Sequence, residues 1–185
     1  MPDRVAQAFL EVPRVRFLPP GQQRYAGRDA PLPIGYGATN SQPTTVRHML
    51  GLLDARPGDR VLDVGAGSGW STALLARLVA PGGTVVGVEL VPELAAACRA
   101  RLATEPRIEV HEATRGVLGW PAGAPYDRVL VSADAPSLPE DLVDQLAPDG
   151  VMVVPVAGEM LRVTRTEEGP EVEAHGRYLF VPLIR

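Results

Sequence analysis

The sequence predicts an α/β fold in which a mostly parallel sheet of seven strands carries helices on both faces. Two observations lead to this prediction. Short apolar runs alternate with helical stretches between residues 60 and 156, which is the pattern of βαβ units and of a parallel sheet. The last two apolar runs follow each other with no room for a helix, so an antiparallel C-terminal hairpin should close the edge of the sheet.

Seven segments are rich in aliphatic residues and are bounded by glycine, proline or polar residues, as strands are. They are residues 60–64, 84–89, 107–111, 128–132, 151–156, 160–166 and 178–184. Helices are predicted between them, over residues 71–79, 92–102 and 139–146. A further helix should cover residues 4–10 with Asp3 as its N-cap, and another should begin at Pro43 with Ser41 as its candidate cap.

The stretch from residue 13 to residue 40 has a different texture, because prolines and glycines alternate along it and make it irregular. Loops of this length inside a compact domain are uncommon and tend to cover binding sites. A chain of 185 residues has the length of one ordinary domain. We therefore expect a single domain over residues 1–185. Residues 1–42 would form an N-terminal helix and a segment that covers substrate and cofactor, and residues 43–185 would form the core.

The composition excludes several classes of function. The formal net charge of −4 leaves no basic surplus for binding nucleic acid through its phosphates. The only cysteine is Cys98, which allows no intrachain disulfide and fits a cytoplasmic protein. No run of about eighteen apolar residues is present, so no membrane partner is expected. Three scattered histidines lack ligand spacing, so no metal is expected either. We expect a monomer.

The strongest local signal is the sequence VLDVGAGSGW, from Val61 to Trp70. Gly65, Gly67 and Gly69 directly follow a predicted strand and directly precede a predicted helix. A ligand that approaches the main chain closely at the carboxyl end of a strand requires side chains to be absent there. A dinucleotide loop, G-x-G-x-x-G, would place its last glycine at the position of Trp70. The spacing G-x-G-x-G instead resembles motif I of the class I methyltransferases.

Two acids accompany the glycine loop. Glu89 ends the next predicted strand, where its carboxylate can accept both ribose hydroxyls of a nucleoside. Glu89 would serve NAD equally well, so it does not choose between the cofactors. Asp63 would face the positively charged methionine end of S-adenosylmethionine and would repel a pyrophosphate, which favours the methyl donor. Two alternatives stay open: the glycine loop could be a tight turn that binds no ligand, and Asp63 could merely cap the turn that follows it.

Further segments resemble the protein-L-isoaspartate O-methyltransferase family, whose members have a Rossmann-like class I methyltransferase fold. The resemblance runs in order along essentially the whole chain. The segments are VPRVRFLP (12–19), PLPIG (31–35), GATNSQP (37–43), LGWP (118–121), APYD (124–127), AP (135–136) and FVPL (180–183). The glycine loop alone indicates only the superfamily, whereas residues 39–43 with the middle and C-terminal segments are far more specific.

The resemblance implies that S-adenosylmethionine is the cofactor and S-adenosylhomocysteine its product. The methyl group would go to the α-carboxylate of an L-isoaspartyl residue in damaged protein or peptide. Ser41 is implied as the active-site residue between cofactor and acceptor. The residues expected to bind the cofactor are Thr39, Asp63, Gly65, Gly67, Ser68, Gly69, Glu89, Leu90, Thr114 and Arg115. Because a carboxylate with a pKa near 4 is already ionised at pH 7, the reaction needs no general base.

The chain departs from the family pattern after the third predicted strand. The family usually carries Gly-Asp-Gly there, and the aspartate accepts a hydrogen bond from the adenine amino group. This chain has Thr114-Arg115-Gly116 at that place. Arginine can only donate, so Thr114, or Glu112 after a shift of one residue, would have to accept.

Two more departures lie beside the expected acceptor site: Asn40 replaces an aliphatic residue, and Asp134 replaces a small one. Together with Arg115 they leave alternatives open. A methyltransferase of the same fold could act on a different peptide or a small-molecule carboxylate. A non-catalytic relative would bind the cofactor without transfer, and a nicotinamide oxidoreductase is a further alternative.

Overall fold

The chain is described by a computed structural model over residues 3–184. Within these residues it forms nine strands. They are β1 (Leu32–Gly35), β2 (Ala38–Asn40), β3 (Arg60–Val64), β4 (Thr84–Glu89), β5 (Ile108–Glu112), β6 (Tyr126–Val131), β7 (Leu146–Val156), β8 (Glu159–Thr166) and β9 (Gly169–Arg177). Strands β1 and β2 pair as a small antiparallel hairpin, and the other seven form one sheet in the order β5-β4-β3-β6-β7-β8-β9.

The five strands β5, β4, β3, β6 and β7 are parallel, whereas β8 is antiparallel to both of its neighbours, β7 and β9. This confirms the predicted mostly parallel sheet with an antiparallel C-terminal hairpin. From β3 the sheet grows to one side through β4 and β5. The chain then returns to the other side of β3, where β6 and β7 are added. Open α/β sheets bind their ligands at such a point, beyond the carboxyl ends of the strands.

Five α-helices lie within the described residues: α1 (Arg4–Glu11), α2 (Pro43–Leu53), α3 (Trp70–Leu78), α4 (Pro92–Leu102) and α5 (Glu140–Val143). Short 3-10 helices cover Arg14–Phe17, Pro20–Tyr25 and Pro121–Gly123. Asp3 caps α1 as predicted, because its carboxylate accepts hydrogen bonds from the amides of Val5 and Ala6. None of the helices in this part of the chain is long and apolar enough to cross a membrane.

Alternation along the strands divides the core between the two faces of the sheet. Val61 of β3 packs into a cluster with residues of α1 to α4, and Leu62 packs into a second cluster with Leu142 of α5. The second face is covered mainly by irregular segments and by the single turn of α5. The pleat directs Asp63 to the same face as Val61, under α3, which decides what its carboxylate can reach.

The N-terminus of α2 is capped differently from the prediction. Gln42 occupies the N-cap without a side-chain hydrogen bond to the helix, so Ser41 is not the cap. Asp29 supplies the missing acceptor from the preceding loop: it accepts from the Thr44 amide at 2.9 Å and from the Thr44 hydroxyl at 2.7 Å. The prediction missed it because Asp29 is fifteen positions away from Thr44 in sequence. Ser41 is therefore available for another role.

The predicted last strand, residues 178–184, is wrong. The strand that completes the sheet is β9, which begins at Gly169, immediately after the turn that follows Thr166. The apolar pattern misled the prediction because β9 is an edge strand that is largely exposed on both faces, and it therefore carries polar residues. The apolar residues 178–184, here called the C-terminal segment, run beside Asp134 instead. The Asp134 amide donates to the Val181 carbonyl, and the Leu183 amide donates to the Asp134 carbonyl, each at 2.8 Å.

Candidate active site

A cavity of about 610 Å³ opens at the carboxyl ends of β3, β4 and β6. This volume is in the range of small-molecule sites. The residues that line it come from the covering segment and the start of α2, the glycine loop, the ends of the strands, and the C-terminal segment. They include Tyr36, Thr39, Asn40, Ser41, Thr45, Gly65, Gly67, Ser68, Glu89, Leu90, Ala113, Leu118, Ser132, Leu179, Phe180 and Ile184.

The glycine loop has the backbone conformation that its sequence predicts. Gly65, Gly67 and Gly69 have φ values of +82°, +54° and +89°, which lie in the left-handed region that side chains disfavour. Gly65 and Gly67 line the cavity. Gly69 does not line it: a Cβ at that position would lie 2.8 Å from the Cys98 sulfur of α4. The third glycine therefore allows the loop to pack closely on α4, and its predicted contact with the cofactor stays a prediction.

Glu89 lies at the end of β4, is buried, and borders the cavity. One carboxylate oxygen accepts from the Gly67 amide at 2.7 Å and the other accepts from the Val91 amide at 2.9 Å. Each oxygen keeps a further lone pair that can accept from a ligand hydroxyl. Glu89 thus holds the glycine loop in place and offers an anion to the cavity. Leu90, the next residue, also lines the cavity.

Asp63 is completely buried and does not line the cavity. One of its carboxylate oxygens accepts from the hydroxyls of Ser71 and Thr72 at the start of α3, at 2.8 and 2.7 Å. The other oxygen has no hydrogen-bond partner among residues 3–184. The predicted contact of Asp63 with a cofactor is therefore not shown by the geometry, although one unsatisfied buried oxygen lies beneath the loop. Burial raises the pKa of Asp63 from 3.8 to about 6, against the lowering effect of the two hydroxyls.

This raised pKa predicts how stability depends on pH. The folded protein holds the Asp63 proton more tightly than the unfolded chain does. The contribution of this proton to the free energy of unfolding is therefore full below pH 3.8 and is lost as the pH rises through about 6. A pKa rise of this size corresponds to about 3 kcal/mol. In urea unfolding at pH 4.5 and pH 7, we expect the wild type to gain about 2 kcal/mol relative to Asp63→Asn on going to the lower pH. An equal stability difference at both pH values would contradict the assignment.

The structure brings Thr39, Ser41 and Ser68 to the same cavity as Glu89. Their predicted roles toward cofactor and acceptor stay predictions. Thr39 is exposed on the hairpin strand β2, and Ser41 is half-buried between β2 and α2. The Ser41 carbonyl accepts from the Arg14 guanidinium at 2.9 Å. Ser68 is buried in the glycine loop.

Thr114 and Arg115 are separate from this group. Both are exposed and line a smaller adjoining cavity with Glu112. Leu90 and Ala113 border both cavities, so the two lie side by side. The predicted contact of Thr114 and Arg115 with the cofactor stays a prediction.

The two departures near the expected acceptor site are bound to the protein itself. The Asn40 side chain is buried, accepts from Arg14 at 2.7 Å and donates to the Ser68 hydroxyl at 3.1 Å. The Asp134 carboxylate accepts from the Gly158 amide at 3.0 Å and does not line the cavity. Neither polar group therefore adds a charge to the cavity.

Sequence reasoning missed two parts of the site. The side chain of Arg14 is buried, and no local pattern in the sequence signals that. The C-terminal segment was interpreted as a strand, whereas Leu179 to Ile184 form part of the cavity wall. Among the described residues, no group of three or more histidine, cysteine or acidic side chains is arranged to hold a metal ion.

The sheet order, the glycine loop and Glu89 at the ends of adjacent parallel strands are those of a class I methyltransferase. The chain matches the protein-L-isoaspartate(D-aspartate) O-methyltransferase family over residues 1–185. It is 46% identical to the protein-L-isoaspartate O-methyltransferase of Methanopyrus kandleri, over 98% of this chain and 84% of that protein. The chain therefore belongs to this family, as its sequence predicted.

Two solved structures agree with this assignment. A protein-L-isoaspartate O-methyltransferase superposes with a TM-score of 0.88 at 25% identity; the match covers 98% of this chain and 61% of the longer chain. The beta-aspartate methyltransferase of Plasmodium falciparum, in complex with S-adenosyl-L-homocysteine, superposes with a TM-score of 0.83 at 25% identity, over 98% of this chain and 90% of the other.

Proposed function

We propose that this protein uses S-adenosylmethionine to methylate the α-carboxylate of L-isoaspartyl residues in damaged peptides and proteins. The observation that carries the proposal is that one cavity is lined by the glycine loop, by Glu89 and by Ser41 of the covering segment. A nucleoside site and a candidate acceptor site thus share one cavity. The proposal treats residues 1–185 as one domain, with residues 1–42 as the cover and residues 43–185 as the core.

The residues around the cavity fit S-adenosylmethionine in shape and charge. Gly65 and Gly67 leave the main chain accessible, and the buried carboxylate of Glu89 is an acceptor for ribose hydroxyls. The unsatisfied oxygen of Asp63 adds negative charge beneath the loop, which suits a cationic ligand and opposes a pyrophosphate. These features favour the methyl donor over a dinucleotide.

The cofactor supplies an electrophilic methyl group, and the protein supplies position and a site with little water. An isoaspartyl carboxylate is ionised at pH 7, so no side chain has to remove a proton from it. Orientation of two bound reactants can lower a barrier by roughly 7–11 kcal/mol. Ser41 lines the same cavity as the glycine loop, and in this proposal its hydroxyl orients the acceptor. Apolar residues of the C-terminal segment also line the cavity, and a bound peptide that covers them would exclude water from it.

In this proposal the cavity binds an isoaspartyl peptide as the substrate. Leu179 is fully exposed, Ile184 is 61% exposed and Tyr36 is 64% exposed, and all three line the cavity. An apolar rim of this kind suits the side chains and main chain of an extended peptide better than a small, highly polar carboxylate. Because Asn40 and Asp134 bind within the protein, they give no support to a different acceptor.

The test is transfer of a labelled methyl group to two peptides that differ only in an L-isoaspartyl or a normal L-aspartyl linkage. We expect cofactor-dependent transfer to the isoaspartyl peptide alone. Its free group is the α-carboxylate, whereas the aspartyl peptide offers only the β-carboxylate, which lies differently relative to the main chain and to a rigid site. Equal transfer to both peptides would show a different acceptor. Tight cofactor binding without transfer to any peptide would show a non-catalytic relative.

A further inference from the structure

A chain of hydrogen bonds joins the glycine loop to Ser41 through two side chains. The Ser68 hydroxyl accepts from the Asn40 amide nitrogen at 3.1 Å. The Asn40 amide oxygen accepts from Nε of Arg14 at 2.7 Å. Nη2 of Arg14 then donates to the Ser41 carbonyl at 2.9 Å. We call these four residues the Ser68–Ser41 relay.

Three of the four relay residues are buried, and Ser41 is half-buried. Arg14, Asn40 and Ser68 are 6%, 4% and 6% exposed. Besides Asn40 and Ser41, the Arg14 guanidinium binds the carbonyls of Arg28 and Ala30, at 2.9 and 2.8 Å. All the hydrogen-bond acceptors of this buried cation are neutral oxygens, so the loss of any one of them is costly.

The Ser68 end of the relay is fixed to the core as well. Nη1 of Arg101, on α4, donates to the Ser68 carbonyl at 2.7 Å. The Arg14 guanidinium lies 5.4 Å from the ring centroid of Trp70, which follows the glycine loop at the start of α3. A shift of the glycine loop therefore has to move the relay, and the covering segment with it.

We propose that Asn40 is a positioning residue that couples the occupancy of the cofactor loop to the placement of Ser41 at the acceptor wall. This inference rests on the proposed function, since it assigns cofactor and acceptor to the two walls. Asn40 can bridge them because its side chain both accepts and donates. An apolar side chain of the same size would fill the space but would form neither the hydrogen bond to Arg14 nor the one to Ser68.

The experiment compares the wild type with Asn40→Leu, Ser68→Ala and the double variant. Calorimetry gives the Kd of S-adenosylhomocysteine with and without a saturating isoaspartyl peptide. The readout is the ratio of the Kd without peptide to the Kd with peptide. For the wild type we expect this ratio to be several-fold, within the roughly 5- to 150-fold range of coupled sites. In Asn40→Leu this ratio should fall to about one, and kcat should drop by about 10- to 100-fold because Ser41 is misplaced.

Two comparisons separate positioning from stability. Arg162→Leu removes hydrogen bonds to the Leu52 carbonyl and the Thr164 hydroxyl outside the cavity lining; it should lower Tm and keep the wild-type ratio. Asn40→Asp should restore most of the ratio, because its carboxylate can accept from both Arg14 and the Ser68 hydroxyl. In the double variant, the Ser68→Ala change should not lower the Kd ratio below the value found for Asn40→Leu alone.

A wild-type ratio of one, or a ratio that Asn40→Leu leaves unchanged, would overturn the inference. Additive losses in the double variant would do the same. Failure of the proposed function is a separate result: the wild type itself would then transfer no methyl group to the isoaspartyl peptide in a parallel assay.

Discussion

Replacing Glu89 with glutamine is expected to weaken binding of S-adenosylhomocysteine about 100-fold, which corresponds to about 3 kcal/mol. The carboxylate accepts from the amides of Gly67 and Val91, one at each oxygen. In glutamine an amide NH2 group replaces one oxygen, so one buried backbone donor faces another donor. The ribose loses an anionic acceptor at the same time. Calorimetric titration of both proteins measures the effect.

The matched control is Glu109→Gln, which makes the same chemical change on the neighbouring strand β5. Glu109 is exposed and lies outside both cavities, so its variant should bind S-adenosylhomocysteine like the wild type. If Glu89→Gln keeps an affinity within threefold of the wild type while it folds normally, the cavity does not hold the nucleoside in the way proposed.

The second large effect is expected from Ser41→Ala, which should lower kcat for an isoaspartyl peptide about 100-fold, as loss of one oriented donor does in other active sites. The alanine keeps the backbone position, because Arg14 binds the Ser41 carbonyl and not its side chain. The loss should therefore come from the missing hydroxyl at the acceptor. Steady-state transfer of a labelled methyl group gives kcat and KM.

For Ser41→Ala the affinity for S-adenosylhomocysteine should stay within about threefold of the wild type, because only contacts made during transfer are removed. Ser137→Ala, at an exposed serine outside the cavity, controls for the assay. A Ser41→Ala enzyme with unchanged kcat would remove Ser41 from the catalytic residues and leave the cofactor site untouched.

Local sequence signals were sufficient where the structure is determined locally. Strands β3 and β4 and helix α4 have the predicted bounds, because glycine, proline and aspartate mark their ends in the sequence. The glycine loop with Glu89 could be predicted for the same reason. The conformation of three glycines and the end of a strand are properties of short segments.

Sequence reasoning failed where the outcome depends on distant partners. The polar strand β9 pairs at an edge, and the apolar C-terminal segment lies on the cavity instead of in the sheet. Arg14 is buried because five oxygens from the covering segment surround its guanidinium, and their positions depend on the whole fold. The direction of Asp63 could have been inferred from the alternation of its neighbours Val61 and Leu62.

The placement of the C-terminal segment has a consequence for biosynthesis. Leu179 to Ile184 close one side of a cavity whose floor is made by residues 64–68, more than a hundred positions earlier. Before residues 179–184 have left the ribosome, the strands up to β7 can already pair, but the cavity lacks this part of its wall. A product that terminates before Leu179 would therefore keep most of the sheet and lose the residues that border the cavity on this side.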